Sequence, residues 1–458
     1  MAESILSTVM YIALGIIGLG IVVFVHELGH FVAARLVGID VEAFSIGWGK
    51  AVLRKTVGGV EYRLGMFPVG GYCKMRGENE INEAMENGKE AVEPVKGTYY
   101  GAGPLQRILV CVAGPFFNLL FAFAVLSAVW GMGRDVFTFG NRIVLQSQVT
   151  GTASPADEAG FESGDRIVMI DGKPVTYWHE IQQAVAIKPE KPLAVEVERD
   201  GKILNLSVIP ALDKNTGVGV IGIRPWIDTV IGSVAADSGA AAGGLLPGDR
   251  ITGIEGQGVE NEADVLGVMA ESTKLVTVDF ERDGSPQTKL IVTRTGESML
   301  GISWQGVQYR TPALSPAQAV ATGARETMRT VGILAHGLTM LFRGINLTEA
   351  VSGPLRMTYM AGEIAVAGFQ HSGIWGMLYS AVNFLALISL ALGLMNMLPL
   401  PMLDGGQIVL FAVEAVRRRP THPKVLRTFQ TVGVAIIFSI MAFALFGDLR
   451  FLGGRIVP

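Results

Sequence analysis

The chain has 458 residues, half of them hydrophobic, and 37 basic against 41 acidic side chains give a net charge of −4. That length predicts several modules; a mean hydropathy of +0.41 is high for a soluble protein, and the small negative charge argues against a nucleic-acid partner. Two cysteines, Cys73 and Cys111, exclude a disulfide framework and a cysteine-based metal site.

The first predicted element covers residues 1–35. An apolar run over 5–25 leads into His26-Glu27-Leu28-Gly29-His30 and then Phe31-Val32-Ala33-Ala34 before Arg35. It is long enough to cross a membrane and lacks the basic start of a cleavable signal, so it reads as a retained span. On a helix, His26 and His30 project from one face, where two imidazoles can bind one zinc. Glu27 lies beside them and could take a proton from water at the metal. Polar side chains inside a membrane-length apolar segment are costly, which points to function. The five-residue pattern also arises by chance, so the reading needs a third ligand elsewhere.

Residues 36–106 are mixed polar and charged. Alternating segments at 61–64 and 71–75 flank Phe67-Pro68 and Gly70-Gly71, predicting a β-hairpin that turns between them, followed by an acidic loop over 78–96. The second span, 107–132, contains Gly114, Pro115 and Asn118; it is expected to bend or pack closely, with Asn118 donating a hydrogen bond between helices.

The next region is glycine-punctuated and repeats itself. Gly164-Asp165-Arg166-Ile167 with Ile170-Asp171-Gly172 returns as Gly248-Asp249-Arg250-Ile251 with Ile254-Glu255-Gly256, and Glu198-Arg199-Asp200-Gly201 returns as Glu281-Arg282-Asp283-Gly284. Two copies of one unit follow, at 141–215 and 220–297, each ending in strands paired around a tight Asp-Gly turn. They resemble PDZ domains, which bind extended peptides by adding a strand to a sheet edge.

Residues 312–372 turn helical, with Arg325, Glu326, Arg329 and Arg343 interrupting apolar positions, as expected of an amphipathic region on the membrane surface. The third span, 373–406, ends in Asn396-Met397-Leu398-Pro399-Leu400-Pro401-Met402-Leu403-Asp404-Gly405-Gly406, which breaks the helix while the sequence is still apolar. Irregular backbone at that depth is tolerated where it lines a cavity or is buried in protein. Asp404 could be an ordinary helix N-cap. As a metal ligand it would instead complete a His₂Asp set with one position left for water. Arg417-Arg418-Arg419 then precede a fourth span at 425–447. The positive-inside rule puts the loops after the first span and before the fourth in the cytoplasm, with the repeats on the opposite face and both ligand stretches toward the cytoplasmic side.

The HELGH motif in the first span, the tandem repeats and NMLPLPMLDGG closing a later span together resemble the site-2 protease family of intramembrane zinc metalloproteases, in the arrangement of its bacterial sigma-E regulators. The resemblance implies a multi-pass α-helical membrane protein with four transmembrane helices, two inserted β-rich PDZ-like domains and a membrane-associated β-hairpin. It implies Zn2+ held by His26, His30 and Asp404, Glu27 as general base, and Asn396 holding the substrate backbone or the developing oxyanion. It also implies that the hairpin pairs with an unwound substrate, through Val60, Tyr62, Leu64, Tyr72 and Lys74. The family often has a histidine directly after LDGG, where this chain has Gln407. Implied substrates are single-span membrane proteins already trimmed by a site-1 protease, notably anti-sigma factors, and remnant signal peptides. The implied setting is the lipid bilayer of the bacterial inner membrane, with the PDZ pair on the periplasmic side acting as a size filter. A membrane scaffold with a structural zinc site and a transporter with a broken helix are the competing classes. The first should close its site with a fourth protein ligand and the second should show repeat symmetry among its spans; neither is evident in the sequence.

Overall fold

The computed structural model describes residues 2–77, 95–133, 135–214, 216–235, 238–271, 275–292, 298–340 and 353–456. Most of the expected acidic loop, and Arg343, lie outside them. The chain divides into two units: Met1–Gly133 with Ala313–Pro458, and Arg134–Pro312.

In the first unit, helix α1 (Ala2–Leu36) leads to strands β1 (Val41–Val57) and β2 (Val60–Met75), then helix α2 (Pro104–Met132). After the second unit come α3 (Pro316–Met340), α4 (Pro354–Asn396), α5 (Asp404–Arg417) and α6 (Pro423–Ile456). Among the described residues, four stretches are long and apolar enough to cross a membrane: Val9–Leu36, Pro104–Met132, Gly373–Asn396 and Pro423–Phe451. With several β-sheets between them, this is a membrane protein with β-rich insertions. α1 stops where Gly38 adopts φ +81°, which turns the Ile39 N–H back onto the Ala34 carbonyl at 2.9 Å.

Close helix packing is built on small residues. A Cβ at Gly29 would lie 2.3 Å from the Ala113 carbonyl oxygen, so glycine is required where α1 crosses α2. α3 carries a buried stripe of Ala319, Gly323 and Thr327, while Arg325 and Arg329 are exposed. That stripe faces α2, along which α3 runs antiparallel: the Leu314 N–H donates to the Trp130 carbonyl, Gly323 meets Ser127, and Val331 and Leu334 pack with Leu119 and Val125.

α4 likewise begins within the region expected at the surface. Gly373 takes φ +61°, and a Cβ at Gly368 would meet the Gly376 carbonyl oxygen at 2.4 Å. A straight helix would separate such positions by about 12 Å, so the two arms fold back on each other. Both pack on α1, the first through Thr358 and Gly362 against Gly15 and Tyr11, the second through Leu385 against Gly18. The Asp448 carboxylate of α6 accepts from the Gly353, Leu355 and Arg356 N–H groups, capping the first arm from a neighbouring helix.

The hairpin differs from the expected one. Its tight turn is Gly58-Gly59, at φ +59° and +82°, and segments 61–64 and 71–75 do not pair with each other. They flank the start of β1 instead: Phe44 pairs with Tyr62 on one side and Cys73 on the other, while 53–57 covers the far side of 60–64. Two adjacent glycines able to take positive φ make a tighter reversal than the Phe67-Pro68 stretch.

The second unit contains the repeat as two four-stranded antiparallel sheets of identical order. The first runs Lys173–Pro174, Arg166–Ile170, Leu193–Arg199, Lys202–Val208; the second runs Gln257–Gly258, Arg250–Ile254, Leu275–Arg282, Ser285–Val292. Each sheet has its own apolar core, around Ile167, Leu193 and Val197 in one and Ile251, Val278 and Phe280 in the other. Asp200 and Asp283, at φ +51° and +50°, form the Asp-Gly turns read from the sequence.

Candidate active site

Three elements of the first unit converge below the α1–α2 crossing. α1 presents His26 and His30 from one face, both buried. α2 closes on them with Gly114, where a Cβ would fall 2.5 Å from His30 Nε2, so the glycine leaves room for the imidazoles. α5 starts at Asp404, after the irregular 397–403 stretch in which Met402 takes φ +73°. Pro399 and Pro401 end the preceding helix at Asn396 and let a new one begin at the carboxylate.

The resulting distances are short. His26 Nε2 and His30 Nε2 are 3.2 Å apart, His26 Nε2 and Asp404 Oδ2 3.3 Å, and His30 Nε2 and Asp404 Oδ1 3.5 Å. Nitrogen ligands bound at about 2.0–2.1 Å to one tetrahedral ion stand about 3.3 Å apart, so this donor set fits zinc. Among the described residues Asp404 Oδ2 is buried without a hydrogen-bond partner, a costly state that a bound cation relieves. His30 Nδ1 lies 2.8 Å from the Val110 carbonyl; that bond places the ring hydrogen on Nδ1 and frees Nε2 for a metal. Among the described residues the group holds these three side chains, leaving a tetrahedral ion one open position.

Glu27 is half-buried beside the cluster, and its carboxylate accepts from the Cys73 backbone N–H on β2. Asn396 Nδ2 reaches to 3.3 Å from His26 Nε2. The expected substrate contacts are placed unevenly. Val60 is 2 % exposed and its side chain packs in the core. Tyr62 and Leu64 are exposed, but their strand has neighbours on both sides. Tyr72 accepts from Arg63, and Lys74 pairs with Glu42 at 2.7 Å. Among the described residues the 71–75 segment, nearest Glu27, has a strand partner on one side only.

The chain matches Peptidase family M50 over residues 14–440. The chain belongs to that family. A putative zinc metalloprotease of Treponema pallidum is 37% identical over 446 residues, covering 96% of this chain and 99% of that one. The regulator of sigma E protease of Haemophilus influenzae is 30% identical over 455 residues, covering 94% and 97%. Protease RseP of Yersinia pestis is 30% identical over 474 residues, covering 97% and 99%. In this member of the M50 family the cluster sits where two apolar helices cross, and its framework lies outside the sequence motifs.

Sequence reasoning missed that framework. Arg107 of α2 and Glu414 of α5 form a buried pair at 2.6 Å, and the Arg107 guanidinium also lies 4.5 Å over the Phe411 ring. Tyr99 donates to Gln407 Oε1 at 3.2 Å, so the glutamine at the departure from the family pattern helps seat α5. Asn118, read as a hydrogen-bond donor between helices, does join α2 to α1, with Nδ2 3.1 Å from His26 Nδ1; that its partner is a candidate metal ligand was not legible. A charged residue next to an apolar run was the available signal for Arg107, but its partner, more than 300 positions away, was not legible.

Proposed function

We propose that this chain, a zinc metalloprotease of the M50 family, hydrolyses peptide bonds within the membrane-spanning segments of single-span proteins. The observation that carries the reading is the His26, His30 and Asp404 cluster, assembled inside apolar helices with Glu27 and Asn396 beside it. His26, His30 and Asp404 would hold zinc, which would supply Lewis acidity that raises the acidity of water and the electrophilicity of a carbonyl. The Glu27 carboxylate accepts the proton of the attacking water and delivers it to the leaving amide nitrogen, so the water's hydroxyl ends on the carbonyl carbon and its hydrogen on the amine. The Asn396 Nδ2–H donates to the developing oxyanion in a site shielded from bulk water.

A substrate helix hides its carbonyls in its own hydrogen bonds and has to unwind. The 71–75 edge offers replacement bonds close to Glu27, so the substrate strand adds there rather than along 60–64. The zinc site faces the cytoplasmic side of a bacterial inner membrane. The repeats are a PDZ pair on the periplasmic side that excludes substrates with intact outer domains. Its substrates are anti-sigma factors after a site-1 cut, as the names of the sigma-E relatives suggest, together with remnant signal peptides.

The test is cleavage of a single-span substrate in detergent by wild type and Glu27→Gln, with zinc measured on both. A rate reduced about 10²- to 10⁴-fold at unchanged zinc content supports the reading; equal rates defeat it. Removing residues 141–295 is expected to permit cleavage of an untrimmed substrate, and continued rejection would count against the filter.

A further inference from the structure

Asn118 is fully buried, and its Oδ1 has no hydrogen-bond partner among the described residues. Its main-chain carbonyl accepts from Ser389 Oγ of α4 at 3.0 Å, which fixes the residue at the point where α2 and α4 meet α1. As placed, the amide turns Nδ2 toward His26 Nδ1, and Nδ1 can accept only in the tautomer that carries its hydrogen on Nε2. That tautomer would take away the lone pair on the nitrogen facing His30 and Asp404. The two ends of a carboxamide have the same size, so a half-turn about its last bond needs no extra space.

We propose that Asn118 works through Oδ1, accepting the Nδ1–H of His26 and thereby holding Nε2 unprotonated toward the metal cluster. His30 sets the precedent within the same site: its Nδ1 meets the Val110 carbonyl at 2.8 Å, an atom that can only accept. His26 lies nearer the middle of α1, and among the described residues its ring nitrogens meet side chains only, so the amide oxygen takes that role. Asn118 is then a positioning residue, fixing both the tautomer and the ring orientation of His26. The inference rests on the zinc reading above and adds a residue outside both motifs.

The experiment measures zinc dissociation constants of the full chain in detergent, by chelator competition, for wild type, Asn118→Asp and Asn118→Leu. Nitrogen-15 NMR of histidine-labelled, zinc-loaded wild type accompanies it. The aspartate keeps an acceptor and is expected to stay within about threefold of wild type; the leucine has none and is expected to weaken zinc about 10- to 100-fold. In the spectra, His26 should have its hydrogen on Nδ1. An aspartate variant as weak as the leucine variant, or a leucine variant as tight as wild type, overturns the proposal. So does a wild-type His26 with no hydrogen on Nδ1, a result independent of how either variant folds. A wild type that binds no zinc overturns the zinc reading itself, whereas tight wild-type binding with any of the adverse results above removes only the role of Asn118.

Discussion

In the Arg134–Pro312 unit, each copy of the repeat satisfies its buried carboxylate completely. Asp165 takes Arg199 Nε and Nη2 at 2.7 and 2.8 Å and the Glu162 N–H at 2.9 Å. Asp249 takes Arg282 Nε and Nη2, both at 2.7 Å, and the Leu246 N–H at 2.8 Å. Each guanidinium also donates to the Gly160 or Gly244 carbonyl, and that of Arg199 to the Glu162 carboxylate as well. The membrane-spanning unit treats its cluster the opposite way: Asp404 Oδ2 and Asn118 Oδ1 are buried without a hydrogen-bond partner among the described residues. A satisfied buried carboxylate holds a fold together, whereas an unsatisfied one stores a cost that a ligand relieves. The contrast separates the Asp249 carboxylate from that of Asp404, although both have a buried oxygen.

The strongest way to break the comparison is Asp404→Ala. If the carboxylate is there for a metal, removing it should abolish zinc binding and proteolysis while leaving the thermal unfolding of the zinc-free protein nearly unchanged. A large loss of zinc-free stability would make Asp404 a structural group like Asp249. Next in size is the pair that joins the two behaviours. Arg107 and Glu414 are satisfied, as in the repeats, yet they seat the helix that begins with Asp404. Glu414→Ala leaves a buried guanidinium unpaired and should cost about 3–5 kcal/mol. Replacing both, Arg107→Met with Glu414→Leu, should recover most of that stability in a detergent melt.

The smallest effect concerns pH. Hydrogen bonds from Arg282 hold the Asp249 carboxyl below the usual carboxylate range. A group depressed in the folded state adds stability above its unfolded value, about pH 4. That contribution disappears as pH falls through the lower folded value. Asp249→Asn should therefore cost stability at neutral pH and flatten the acid limb of unfolding, followed by tryptophan fluorescence. An unchanged acid limb would mean that the pair contributes little. Arg282 keeps access to water, at 27% side-chain exposure, so the neutral-pH cost of Asp249→Ala should stay near 2 kcal/mol, below that of a fully enclosed pair.

The sequence by itself determined the features whose signal is local or periodic. A 3.6-residue repeat puts His26 and His30 on one face within an apolar run, prolines stop a helix before Asp404, and a near-constant offset exposes the duplicated unit. Each depends on neighbours along the chain, and sequence lists neighbours directly. Tertiary structure decided what depends on meetings between distant segments. The hairpin turns at Gly58-Gly59 because β1 takes partners on both sides. The helix after Pro316 lies along α2 because its small residues match a groove there. The Val60 side chain is buried for the same kind of reason. Asn118, Arg107 and Gln407 gained their roles from residues 92, 307 and 308 positions away. Hydrogen bonds and close packing act over a few ångströms, and only the folded chain brings such residues that near.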